Sequence, residues 1–401
     1  MVANKRFYAL DVFRGATVAF MILVNNPGTW SHIYGPLRHA AWHGLTPTDL
    51  VFPFFLFAVG NAMAFVMPRM LAQGSAVFWK KTIRRSLLLF LIGLAINWFP
   101  FFHWEGGKLV FSAWEWTNEG GELSGVRIMG TLQRIGICYF FASVLIYLMD
   151  VKKLFYTAIA ILLCYWGLCY FQNPADPYSI AGWFGTEIDK KVWGAAHLYP
   201  YEAFVFEPEG IVSTLPTIVS VISGYLVGKY IYSCIKQMST SENPAETEKL
   251  MYKMLTILFM TATAALFAGY VWGLVFPVNK KIWSGSFVLL SSGLAIALLS
   301  VLIYFIEAKG KRGKWMYFFN VFGKNALFIY ALSELIPRGL DIVRVPTAEG
   351  STTPLEWLYS HCFAIIPGSL ENGSLAYAIF MVLIYGGIAY LMDRKGIYVK
   401  I

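Results

Sequence analysis

Apolar residues along this chain fall into ten long runs divided by polar, aromatic or glycine-rich breaks: 7–27, 48–68, 82–101, 128–149, 153–172, 211–233, 254–276, 283–306, 315–336 and 375–392. A helix of about 20 such residues crosses a hydrocarbon core of about 30 Å. The pattern therefore predicts an all-α, polytopic transmembrane helix bundle of about ten spans forming a single domain, 1–401. The first run holds Asp11 and Arg14 and ends without a small-residue cleavage site, which predicts a retained helix and no signal peptide. No internal repeat is visible. The one strongly hydrophilic linker, about 237–250, predicts a loop between the sixth and seventh spans, and long aromatic loops are expected at about 102–127, 173–210 and 337–374.

Composition agrees, since 57% hydrophobic residues, 14% charged residues and a mean hydropathy of +0.57 leave too little polar surface for a soluble globule. The basic residues are unevenly placed. Lys5 and Arg6 precede the first run, and Lys80, Lys81, Arg84, Arg85, Lys152, Lys153, Lys309, Lys311, Arg312, Arg394 and Lys395 fall at the even-numbered connections and the C-terminus. By the positive-inside rule both termini and the even connections face the cytoplasm. The net charge of +9 then reflects topology and calls for lipid, not nucleic acid. All six histidines (32, 39, 43, 103, 197 and 361) fall on the outer side, and the five cysteines show no paired spacing for a metal or a disulfide framework.

Ionisable residues inside spans are costly and usually functional. Four stand out: Asp11, Arg14, Arg134 and Lys324. Asp11 and Arg14, at i and i+3, can form a structural pair, and Asn25 returns to the same face further along the helix. Arg134, beside Gln133, has no acidic neighbour in its own helix, and Lys324-Asn325 is similar. One acid against three bases leaves two surplus positive charges. A positive interior favours an anionic ligand such as phosphate or pyrophosphate, unless Glu209, Glu334 or a lipid headgroup neutralises it.

The most informative polar interruption is 37–49, Leu-Arg-His-Ala-Ala-Trp-His-Gly-Leu-Thr-Pro-Thr-Asp. Thr46-Pro47-Thr48-Asp49 reads as a helix start, with Thr46 as N-cap, Pro47 at the first helical position and Asp49 in a capping box. Asp49 can equally orient a nearby imidazole. His39, flanked by Arg38 and Trp42, is either a general base or an interfacial histidine, and His43 competes with it. Glu207-Pro208-Glu209-Gly210, on the same outer side, can bind an amine or sugar hydroxyls.

Leu10-Asp11-Val12-Phe13-Arg14-Gly15, Val24-Asn25, His39-Ala40-Ala41-Trp42-His43-Gly44-Leu45-Thr46 and Asp49-Leu50-Val51-Phe52-Pro53 together resemble the heparan-alpha-glucosaminide N-acetyltransferase family. Gly130-Thr131-Leu132-Gln133-Arg134-Ile135-Gly136, Glu207-Pro208-Glu209-Gly210, 277–284 (Pro-Val-Asn-Lys-Lys-Ile-Trp-Ser) and Gly323-Lys324-Asn325-Ala326 continue the resemblance in order along essentially the whole chain.

The resemblance implies a multi-spanning enzyme that takes acetyl-CoA from the cytoplasm and acetylates the amine of a glucosamine-type sugar on the other side, with a possible homodimer. It implies His39 as catalytic base or acyl acceptor, with Asp49 and Asn25 as active-site neighbours. Arg14, Gln133, Arg134, Lys280, Lys324 and Asn325 are expected around CoA, and Trp42, His43, Glu207 and Glu209 around the sugar. No metal is expected. His43 stands where the lysosomal enzyme is expected to have Asn, and the lumenal N-terminal region and first span of that enzyme are missing, which points to a relative in a bacterial cytoplasmic (inner) membrane. An amino-sugar permease and an envelope-glycan O-acetyltransferase are the alternative readings.

Overall fold

Backbone polar groups in lipid must be satisfied within the chain, and helices do this locally. The computed structural model describes residues 7–117, 121–201, 204–347 and 350–399; Lys5 and Arg6 lie outside them. In chain order the helices are α1 Tyr8–Asn25, α2 Val51–Ala72, α3 Ser75–Trp98, α4 Thr131–Leu148, α5 Val151–Gln172, α6 Gly185–Trp193, α7 Ile211–Thr240, α8 Pro244–Gly273, α9 Gly285–Ile303, α10 Lys314–Lys324, α11 Ala326–Leu340, α12 Pro354–Leu358 and α13 Leu370–Arg394. Strand structure among the described residues is confined to four short antiparallel hairpins in the loops 102–125, 200–205 and 345–352. The chain is an all-α polytopic bundle, an integral membrane protein.

Eight helices among the described residues are long and apolar enough to cross a membrane. The other two expected spans take different forms. The run 82–101 lies on α3, whose first half carries Lys80, Lys81, Arg84 and Arg85. The run 315–336 is divided at Asn325 into α10 and α11. The expected linker 237–250 is largely helical: α7 runs to Thr240, and α8 starts at Pro244 with Asn243 accepting the Ala245 N–H at 3.0 Å. Polar composition there marks helix leaving the apolar layer, not a loop. At the centre of the bundle, 78% of the apolar stretch of α7 is buried, against 28% for α5 and for α8, which form the periphery.

Glycines set the closest helix contacts, as small residues do in lipid. A Cβ on Gly60 of α2 would lie 1.9 Å from the Val221 carbonyl of α7, and one on Gly224 would lie 2.0 Å from the Phe57 carbonyl. Gly323 of α10 is equally confined, 2.1 Å from the Asp11 carbonyl of α1. Gly323→Ala is expected to lower stability by about 1–3 kcal/mol through overpacking. Gly387→Ala, at a position with open space around the added Cβ, is expected to be neutral, and thermal melts in detergent compare the two.

The break at Asn325 has a structural job. Its amide donates to the Ile397 carbonyl at 3.0 Å and accepts the Val399 N–H at 2.9 Å, clamping the C-terminal segment. Lys324 pairs with Asp393 at 2.7 Å, and Tyr317 and Tyr398 also bond that carboxylate. Arg14 pairs with Asp11. The expected surplus of positive charge is thereby corrected: Asp393, at the end of the last span, was outside the count, and Glu209 lies close enough to act on Arg134.

Candidate active site

The segment before α2 folds around one carboxylate. Pro47–Leu50 forms a 3-10 turn capped by extended Thr46, and Asp49 closes the capping box by accepting the Thr46 N–H at 3.0 Å. The same oxygen, Oδ2, accepts the Ala40 N–H at 3.1 Å, while Oδ1 lies 2.7 Å from His39 Nδ1. Both expected roles of Asp49 coexist. With Nδ1–H donated to the carboxylate, His39 Nε2 keeps its lone pair.

The loop 277–284 holds the other side. Buried Asn279 accepts the N–H groups of Lys281 and Ile282 at 2.7 and 3.1 Å, forming a turn that presents Lys280. Lys280 Nζ stands 3.3 Å from His39 Nδ1 and 3.8 Å from Asp49 Oδ1. The His39 side chain is 46% exposed, but to the mouth of a protein-walled cavity. Burial by those walls, then the charges of Lys280 and Lys281, hold its pKa below the ordinary 6.5 against the pull of Asp49. Burial likewise lowers Lys280.

A cavity of about 230 Å³ opens beside this pair. His39, Asn25, Gln133, Glu209 and Lys280 line it, together with Asn97, Arg127, Thr131, Tyr330, Glu334 and Arg338. Its apolar floor, including Met21, Val24, Phe52 and Phe55, reaches from Asn25 about one turn down α1.

The rim is fixed by a dense ion cluster. Arg127 donates Nε to Glu207 at 3.0 Å and Nη2 to both Glu207 and Glu209 at 2.5 Å, and Tyr199 lies under its guanidinium at 4.8 Å. Asn97 anchors this segment by donating to the Arg127 and Met129 carbonyls. Arg127 is driven further above its ordinary pKa by the two carboxylates. Glu209, facing Arg127, Arg134 and Lys280, is held below the usual glutamate range.

The other expected site residues lie apart from the cavity. Arg134 is fully buried in the wall, donating Nη2 to the Gly210 carbonyl and to Ser213 Oγ beneath the Trp283 ring, which braces α4 against α7. Glu207 is spent on Arg127. Trp42 donates to the Tyr178 carbonyl at 2.7 Å and packs on Phe206, and His43 contacts Asn279 at 3.3 Å. These two stitch the His39 segment to its neighbours. Arg14 and Lys324 lie toward the opposite end: Arg14 is eleven residues from Asn25 on α1, about 17 Å along the axis, and Gly323 packs against Asp11. Of the other histidines, His197 is buried between the Val126 carbonyl and Glu115, and His103 bonds Ser112. The sequence reading missed Arg127, Asn97, Tyr330 and Arg338; the spacing of Tyr330, Glu334 and Arg338 at i, i+4 and i+8 was the available signal.

The fold and site define a polytopic membrane protein with a histidine–carboxylate pair in a cavity at one end of the bundle. No protein-family profile matches the chain. It is similar to the heparan-alpha-glucosaminide N-acetyltransferase of Homo sapiens, 26% identical over 446 aligned residues that cover 99% of this chain and 60% of the relative. The Mus musculus protein of the same name is 25% identical over 380 residues, 83% of this chain and 54% of the relative. These similarities bear out the resemblance carried by the motifs. The chain spans little more than half the length of these curated relatives.

Proposed function

We propose that this protein is a transmembrane N-acetyltransferase that moves an acetyl group from acetyl-CoA on the cytoplasmic side of an inner membrane to the amine of a glucosamine-type sugar on the outer side. The observation that carries the reading is the Asp49–His39 pair aimed into a cavity with Asn25 and Lys280. Acetyl-CoA would supply the activated acetyl thioester. Arg14, 31% exposed, and Lys324, 19% exposed, are the cations within the spans that lie toward the cytoplasmic end and would meet its phosphates.

His39 Nε2 takes one proton from the acceptor ammonium, a contribution of about 10² to 10⁴-fold for a positioned base; the neutral amine then attacks the thioester carbonyl, and as the C–N bond forms and the C–S bond breaks, the second proton leaves with the sulfur as CoA thiol. Asp49 fixes the tautomer. Asn25 and Lys280 provide donors where negative charge develops on a carbonyl oxygen, the electrostatic part of acyl transfer.

The test is purified protein in detergent given acetyl-CoA and glucosamine. Release of free CoA with an amide product identified by mass spectrometry is the expected outcome; binding of the sugar with no CoA release would mean a permease, and an ester product an O-acetyltransferase. Activity requires neutral His39, so it should fall as pH drops through a value below 6.5. Lys280→Met should move that acid limb upward, because the lost cation had disfavoured the imidazolium. An acid limb that stays in place in Lys280→Met would contradict the assignment of His39 as the base.

A further inference from the structure

An amine acceptor reaches this cavity largely as an ammonium ion, and recognising it requires a carboxylate with a free oxygen and a charge not already shared among several cations. Glu209 and Glu334 both line the wall. Glu209 bonds Arg127 through Oε2 at 2.5 Å, and its charge is already shared by three cations, Arg127, Arg134 and Lys280. Glu334 is different. It lies on α11 between Tyr330 and Arg338, in one stripe turned to the cavity. Arg338 donates Nη2 to Glu334 Oε2 at 3.2 Å, and its Nη1 is pinned to the Ile96 carbonyl of α3 at 3.0 Å. That arrangement orients the carboxylate through one oxygen. Among the described residues no hydrogen bond uses Oε1.

We propose that Glu334 is the amine-recognition residue, its Oε1 receiving the acceptor ammonium in the same cavity that His39 enters, with Arg338 as the positioning residue. The inference builds on the acetyl-transfer reading, since that reading makes an amine the acceptor. It also separates the roles of the two carboxylates: Glu209 belongs to the ion cluster of the rim, and Glu334 selects an amino sugar over a neutral one. One charge-assisted hydrogen bond accounts for about a 10- to 100-fold preference.

The experiment is equilibrium binding of glucosamine and of glucose to the full-length protein in detergent, by calorimetry, for the parent, Glu334→Gln and Glu334→Asp. The parent should prefer glucosamine by about 10- to 100-fold. Glu334→Gln should lose that preference while its weaker affinity for glucose is unchanged, and Glu334→Asp should regain part of it. Equal weakening of both sugars would mean a structural role and overturn the proposal, as would a preference that survives in Glu334→Gln. Acetyl transfer is measured on the same samples. A parent protein that binds glucosamine selectively but transfers no acetyl group would refute the transferase reading alone; a parent that transfers normally, with selectivity untouched by Glu334→Gln, would refute the Glu334 assignment alone.

Discussion

Replacing His39 with Ala is expected to lower kcat for acetyl transfer to glucosamine by about 10² to 10⁴-fold, with little change in thermal stability. The side chain faces the cavity mouth, and among the described residues its hydrogen-bonding partners are Asp49 and Lys280, so its removal leaves the surrounding helices in contact. Asp49→Asn should approach the same loss by another route. An asparagine oxygen can still accept the Ala40 and Thr46 N–H groups. Its NH₂ would then face His39 Nδ1, favour the opposite tautomer and leave Nε2 protonated. Steady-state rates of both variants, with melting curves alongside, check this. Full activity in His39→Ala would remove the catalytic assignment.

The largest expected loss of stability lies at Arg127. Its guanidinium joins Glu207, whose side chain is fully buried, to Glu209. Arg127→Met strands the Glu207 carboxylate in the wall, and breaking such a pair from one side costs about 3–5 kcal/mol. The variant should yield little folded protein in detergent. The double variant Arg127→Met with Glu207→Gln should recover part of the loss, because it removes the uncompensated charge together with its partner. Size-exclusion profiles and thermal melts of the single and double variants provide the comparison. Equal behaviour of the single variant and the parent protein would show that water or another group solvates the acids.

Much of the fold was legible because lipid imposes one rule along the whole chain, that long apolar runs become helices. That rule says little about where a helix stops. The 237–250 stretch is polar, yet α7 and α8 continue through most of it, since a helix outside the apolar layer needs no apolar residues. The division at Asn325 was hidden inside an apolar run, because it depends on a clamp to Ile397 and Val399 far along the chain. At the site, Asp49 was readable from local spacing in both of its roles. Lys280 was a motif residue whose proximity to His39 depends on a turn built around Asn279. Arg134 and Lys324 looked alike as lone basic residues in spans. The structure separates them, one sealed against Gly210 and Ser213 and the other paired with Asp393. Arg127 and Arg338 sit just beyond apolar runs, where basic residues are ordinary, and only the folded cavity distinguishes them.

In the proposed reaction the acetyl group crosses the membrane to reach an amine at the His39 cavity. Proteoliposomes with the protein in one orientation test it, with radiolabelled acetyl-CoA on the side of Arg14 and Lys324 and glucosamine only on the side of His39. Labelled N-acetylglucosamine is expected in the glucosamine compartment, with release of CoA in the other. Label appearing on the sugar only when both substrates share one compartment would contradict it.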